Sequence, residues 1–191
     1  MGSDVFEIEW GEYVPFDHGG PHRPFGEMTR AEARRCYEVF MEQRLDRVEQ
    51  LRRLLALNGV ELSDSVEGIL ALEEFWVRHV EPRPDDPSEL RPLWHAVGWD
   101  VFTFLAEVMI ERFDGVHWHF FTGGRKNASY QRPVLMGFGG KWERVDKDLN
   151  VIVIGYGYRL IRLDPPDRVP EWIFPRQIHV AELMWRGEDL G

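Results

Sequence analysis

The stretch WHAVGWDVFTFLAEVMIERF, residues 94–113, decides the fold. Val97, Val101, Phe102, Phe104, Leu105, Val108, Met109, Ile110 and Phe113 leave it almost no polar face. A helix that is apolar nearly all round belongs in the middle of a core. The sequence therefore predicts a central helix from about Trp94 to Phe113, with the other elements arranged to cover it. Asp114-Gly115 ends it in a turn. Glu107 breaks the apolar run, and no stretch approaches the ~18 apolar residues of a membrane span.

Upstream, Thr29 and Glu32 have the spacing of a capping box. Tyr37, Phe40, Met41, Leu45, Val48, Leu51 and Leu55 follow at steps of three and four, an amphipathic helix that Asn58-Gly59 stops. A second helix is expected from Ser63 or Asp64, with Glu67 near its start and Val66, Ile69, Leu70, Leu72, Phe75 and Trp76 on its apolar side. The proline-rich segment 80–92 closes it as a loop.

Downstream, Val116–Phe121 and Pro133–Phe138 read as an antiparallel pair, since short connections join antiparallel strands. Lys141–Val145 is expected to add a third short strand. Residues 149–163 (LNVIVIGYGYRLIRL) fit either element. β-branching and two glycines favour a strand, while the length and the Ile152, Tyr156, Leu160, Leu163 stripe favour a helix; helix is preferred narrowly. A further short helix is expected at Gln177–Arg186.

Residues 1–28 are rich in Gly and Pro but carry Phe6, Trp10, Tyr13, Phe16 and Phe25. Disordered segments are poor in aromatics, so an irregular arm lying on the body is expected, with a short strand at Val5–Trp10. The expected class is α+β: about three main helices packed on a small antiparallel sheet, with an irregular aromatic N-terminal arm. The 191 residues suit one domain, divided into the arm (1–28), a mainly helical part (29–114), a hairpin-containing part (115–163) and a Pro-rich tail (164–191).

A single cysteine, Cys36, forms no internal bridge, which suits a reduced compartment. The acidic start MGSDVFEIEWGEY lacks the basic and apolar regions of a signal peptide. A cytoplasmic, soluble protein is expected, with no membrane partner. A formal net charge of -10 argues against general nucleic-acid binding, because phosphates repel such a surface. Lysine occurs only at 126, 141 and 147 beside many arginines, the codon signature of a high-GC, bacterial genome.

Three constellations carry chemistry. His117 and His119 share one face of a strand; joined by a carboxylate such as Glu107 or Glu111, they would suit the metal of a hydrolase, since catalytic zinc takes three protein ligands and water. An amphipathic strand with two polar-face histidines is the plainer reading, because no H-x-x-x-H or C-x-x-C partner accompanies the pair. Asp100, Glu107 and Glu111 lie along one helix face, and a half-buried Glu107 would suit general acid or base work. A solvated stripe, or partners for Arg112, Arg125 or Arg132, is the plainer reading. Finally, residues 115–142 contain no Asp or Glu in this acidic chain. Within them, Gly123, Gly124, Arg125, Lys126 and Arg132 have the makings of an anion site: backbone amides from a glycine turn and guanidinium groups that grip phosphate or carboxylate. The order is not that of a Walker loop, and a solvated hairpin tip is the alternative. His18 and His22 are separated by Gly-Gly-Pro, which spoils helical alignment for a metal. No cofactor motif and no Gly-x-Ser-x-Gly elbow is present.

The run from the central helix through WHFFTGGRKNASYQRPVLMGF (118–138) resembles uncharacterised small bacterial proteins. In these a helix with an internal Glu (here Glu107) precedes a Trp-containing strand (Trp118) and a Pro-Val-Leu-x-Gly-Phe strand (Pro133–Phe138). Some proteins of this appearance look like immunity or accessory partners of bacterial toxins. The acidic balance and the absence of a complete catalytic set point to a non-enzymatic interaction protein, and the resemblance suggests an immunity-like form of it. The acidic balance and eight tryptophans fit a basic protein partner, and a homodimer would use the same aromatics. The alternatives are an anionic-ligand protein using the Gly123–Arg132 loop, and the metal hydrolase.

Overall fold

The computed structural model describes residues 8–21 and 23–190. Among them five α-helices and one two-stranded antiparallel sheet form an α+β arrangement: α1 Arg30–Leu57, α2 Val66–His79, α3 Pro92–Arg112, β1 His117–Phe120, β2 Pro133–Met136, α4 Leu149–Leu160 and α5 Ile173–Trp185.

α3 is the core helix that residues 94–113 predicted. It starts two residues earlier, with Pro92 in its first turn, where a proline loses no helical hydrogen bond. Val97, Val101, Phe102, Leu105 and Met109 are all buried, and each such side chain contributes roughly 1.5–3 kcal/mol of apolar burial. By length and composition α3 could cross a bilayer, but 72% of its most apolar window is buried inside the protein. α1, α4 and α5 pack against it, and α2 packs on α4 and α5.

α1 begins as its sequence spacing requires. Thr29 Oγ1 accepts from the Glu32 amide at 3.3 Å, and Glu32 Oε2 accepts from the Thr29 amide at 2.7 Å. It ends at Asn58, ahead of Gly59 with φ +74°. The cap of α2 is Ser65, not Ser63 or Asp64: its hydroxyl accepts from the Gly68 amide at 3.0 Å.

The ambiguous 149–163 segment is helical over 149–160, capped by Asp148, which accepts from the Val151 amide at 3.1 Å. Of its two glycines, Gly155 faces open space and Gly157 is a contact residue: a Cβ there would stand 2.9 Å from Trp76 and 3.1 Å from Leu90. Gly98 on α3 does the same for Ile154, so small residues let α3, α4 and α2 approach. The expected strand at Lys141–Val145 is instead a 3-10 turn, Gly140–Trp142, and β2 gains only a bridge between Leu135 and Lys147.

α5 starts at Ile173, four residues before the expected Gln177. The residue ahead of it, Trp172, has φ 59° and offers no side-chain cap. The cap comes from α2. The buried carboxylate of Glu73 accepts from the amides of Glu171 (2.9 Å), Ile173 (3.1 Å) and Phe174 (2.9 Å), and from the Tyr156 hydroxyl (3.1 Å). A negative charge at a helix N-terminus meets both the free amides and the positive end of the dipole.

Ahead of α1, Trp10 meets Trp94 edge-on at 5.5 Å, and Phe16 and Phe25 lie 5.1 and 6.0 Å from Trp99. The expected strand at 5–10 falls partly outside the described residues, and residues 8–10 carry no strand. His22 also lies outside them.

Candidate functional site

The hairpin holds most of the residues that the sequence singled out. β1 and β2 pair in the register His117 to Met136 and His119 to Val134. Alternation then turns His117 and His119 outward, both exposed, and Trp118 inward. The Trp118 ring meets Phe40 at 5.0 Å and Phe102 at 5.9 Å. Its indole N–H donates to Glu107 Oε1 at 2.8 Å. The same oxygen accepts from Arg44 Nε at 3.2 Å. Glu107 thus ties α3 to α1 and β1. Its partner is Arg44, rather than Arg112, Arg125 or Arg132.

Glu111 is exposed, and neither carboxylate joins the histidines. No group of three or more His, Cys, Asp or Glu side chains suited to a metal exists among the described residues. His117 Nδ1 lies 2.8 Å from the Gly115 carbonyl oxygen. The pKa of His119 is held below the ordinary histidine value, first by burial and then by the nearby charges of His117 and Arg34.

Asp100 sits within a buried network. Arg47, 6% exposed, grips it bidentately, Nε to Oδ1 at 2.8 Å and Nη2 to Oδ2 at 2.6 Å. The Tyr13 hydroxyl donates to Oδ2 at 2.5 Å, and Arg47 Nη1 donates to the Val14 carbonyl at 2.7 Å. Burial pushes the Asp100 carboxyl up to about 6, although Arg47 and Tyr13 pull it down.

The basic loop divides. Arg132 faces inward: its Nε stands 2.7 Å from the half-buried Asp148, an ion-pair distance without hydrogen-bond alignment, and its Nη2 donates to Asn150 Oδ1. It is a brace between the hairpin and α4. Residues 123–128 are all exposed. Gly124 takes φ +77°, and a Cβ on Gly123 would lie 2.9 Å from the Phe121 ring, so both glycines serve the turn. The amides of Asn127, Tyr130 and Arg132 bond to carbonyls within the loop, and the Asn127 side chain to the Ser129 amide. Arg125 and Lys126 make no ion pair among the described residues.

Gln131 anchors this loop. It is buried at φ 64° and its Nε2 donates to the carbonyls of Phe25 (2.7 Å) and Met28 (2.9 Å), just ahead of α1. The hairpin end therefore lies beside the start of α1. There Arg34 lays its guanidinium over Phe120 at 4.7 Å, and Tyr37 meets the same ring at 5.4 Å.

Several polar groups gave no local sequence signal, because their partners are remote. Besides Glu73 and Arg47, these include Lys147, buried with Nζ on Gln177 Oε1 at 2.9 Å. Burial pushes its pKa down to about 8. Tyr158 donates to Glu89 at 2.7 Å and lies 3.3 Å from His95 Nε2, holding the 80–91 loop against α4. A surface groove of ≈ 490 Å³ lies elsewhere, between the end of α1 and α2, with Asn58, Glu61, Ser65, Glu67, Phe75 and His79 among its walls. No family model matches the chain, and neither a curated protein nor a solved structure shows significant similarity to it.

Proposed function

We propose that this protein acts by binding another protein and not by catalysis. The observation that carries the reading is the engagement of the polar groups a reaction would use. Asp100 is held by Arg47 and Tyr13, Glu73 by α5 and Tyr156, and Glu107 by Arg44 and Trp118. A general acid or base needs a side chain within hydrogen-bond reach of a reacting group; these three reach parts of their own fold. Glu111 on α3 is exposed, as are His117 and His119 on β1, and no carboxylate among the described residues joins the two histidines. The loop residues 123–128 are exposed too, whereas a small-molecule site buries most of its ligand, so a protein surface suits that loop better than a metabolite. An immunity-like role in a bacterial cytoplasm is one form this binding takes in the reading.

The test is capture of partners by the purified chain from its source lysate, followed by mass measurement of the complex. A stoichiometric heteromeric complex is expected. Elution of the chain without a partner, together with a turnover activity lost in Glu107→Gln, would overturn the reading.

A further inference from the structure

We infer that the outer end of the β1–β2 hairpin, with the adjoining start of α1, is a docking surface for a carboxylate-rich segment of a protein. This rests on the interaction reading above and names its surface and the chemistry of its partner, which is acidic where the net charge alone suggested a basic one, because it is read from this corner and not from the whole chain.

The chain is acidic overall at -10, and most of its strongly placed arginines stand in ion pairs: Arg23 with Glu32, Arg44 with Glu107, Arg47 with Asp100, Arg132 with Asp148. The cations at this end differ. Arg30 and Arg34 on α1, and Arg125 and Lys126 on the loop, are exposed and have no acidic partner among the described residues. His119 lies beside Arg34 on this face; burial first, and then the charges of His117 and Arg34, hold its pKa down, so it takes a positive charge only on acidification. Of the carboxylates on the α4 side of the loop, Asp146 lies 3.5 Å from Asn127 Nδ2 and Asp148 faces Arg132, while Glu27 and Glu38 beside α1 are exposed and pair with none of these four cations.

Shape and chemistry narrow the partner. Arg34 is held over Phe120, and a guanidinium fixed on an aromatic face keeps its edge free for a carboxylate. The loop is rigidified by Gln131 and by its own turn hydrogen bonds, so little ordering remains to oppose binding. The net charge opposes any polyanion, and a long one such as a nucleic acid would run beyond this corner onto the acidic remainder of the chain. A protein segment with a few carboxylates needs only this corner.

The probe is a fluorescein-labelled octaglutamate peptide, titrated by anisotropy at about 50 mM and about 200 mM salt. Wild-type chain is expected to bind it with an affinity that falls with salt. The double variant Arg125→Glu/Lys126→Glu is expected to bind about tenfold or more weakly, and Arg34→Glu, on a separate element, to show a loss in the same direction. Both are exposed changes whose folding is checked by circular dichroism. Equal binding by wild type and variants overturns the inference, as does tighter binding of an oligothymidylate of equal charge, or effective competition by inorganic phosphate at matched ionic strength. A stoichiometric partner captured equally by wild type and the charge-reversed variants would overturn this surface while leaving the interaction reading intact.

Discussion

Arg47 on α1 and Asp100 on α3 meet through two parallel contacts of 2.8 and 2.6 Å, with 7% and 0% of their side chains exposed. This pair joins two long helices at the centre of the molecule, and Tyr13 closes it from the N-terminal side. Removing one partner of a buried pair leaves the other charge stranded, at a cost of ~3–5 kcal/mol. Asp100→Ala is therefore expected to lower stability by about that amount, and Tyr13→Phe, which removes one donor to a charged acceptor, by about 1.5–3 kcal/mol. The double change Arg47→Met/Asp100→Leu should recover much of the single-variant loss, because no charge remains to desolvate. Urea unfolding midpoints decide this; a double variant no more stable than Asp100→Ala would contradict it.

Glu73 has a local task. Glu73→Gln keeps one acceptor oxygen but turns the other into a donor, facing the Phe174 amide. A loss of about 1–3 kcal/mol is expected. Hydrogen exchange should quicken first in the opening turn of α5, residues 173–176. Unchanged exchange there would show that α5 does not depend on this remote cap.

Lys147 should cost the fold stability near neutral pH. Its folded pKa is about 8, against an ordinary 10.5. Below pH 8 both folded and unfolded chains hold the proton, and the folded one bears the burial cost, on the order of 3 kcal/mol from this shift. As pH rises from 8 to 10.5 the folded chain releases the proton first, so this group's contribution to stability improves with pH. Lys147→Met should then stabilise the protein at pH 7 by about 1–3 kcal/mol after losing the Gln177 bond, with little gain left at pH 10.5. Denaturation at the two pH values is the check, and a destabilised Lys147→Met at pH 7 would refute it.

Binding of an acidic partner should strengthen on acidification. His119 is held below the ordinary 6.5, so it is largely neutral at pH 7.5 and gains charge as pH falls below that value. Octaglutamate affinity is expected to rise between pH 7.5 and 5.5, and His119→Gln to flatten the rise. A profile that stays equally steep in His119→Gln would remove the histidine from the surface.

The sequence was most legible where cause and effect are local. The capping box at Thr29, the Asn58-Gly59 stop and the all-round apolar α3 depend on residues within a few positions of one another, and they form as expected. The alternation of His117, Trp118 and His119 set the inward and outward faces of β1 correctly. The readings that moved were those governed by distant contacts. α5 takes its cap from Glu73, about a hundred residues away, and no pattern near Ile173 announces it. Asp100 and Glu107 both took α1 arginines, Arg47 and Arg44, because α1 runs beside α3; spacing along α3 shows which residues share a face but not what lies opposite. Lys141–Val145, expected to be a third short strand, instead follows Gly140, which at φ +56° bends the chain into a turn beside Gly187. Arg132, counted with the basic loop, points inward to Asp148.

The most direct test of the account is amide chemical-shift mapping of the labelled chain during titration with the octaglutamate peptide. Shifts are expected to concentrate at residues 117–126 and 30–37, and to need about tenfold or more peptide in Arg125→Glu/Lys126→Glu. Shifts centred on the α1–α2 groove at 58–79, or spread evenly over the surface, would contradict it.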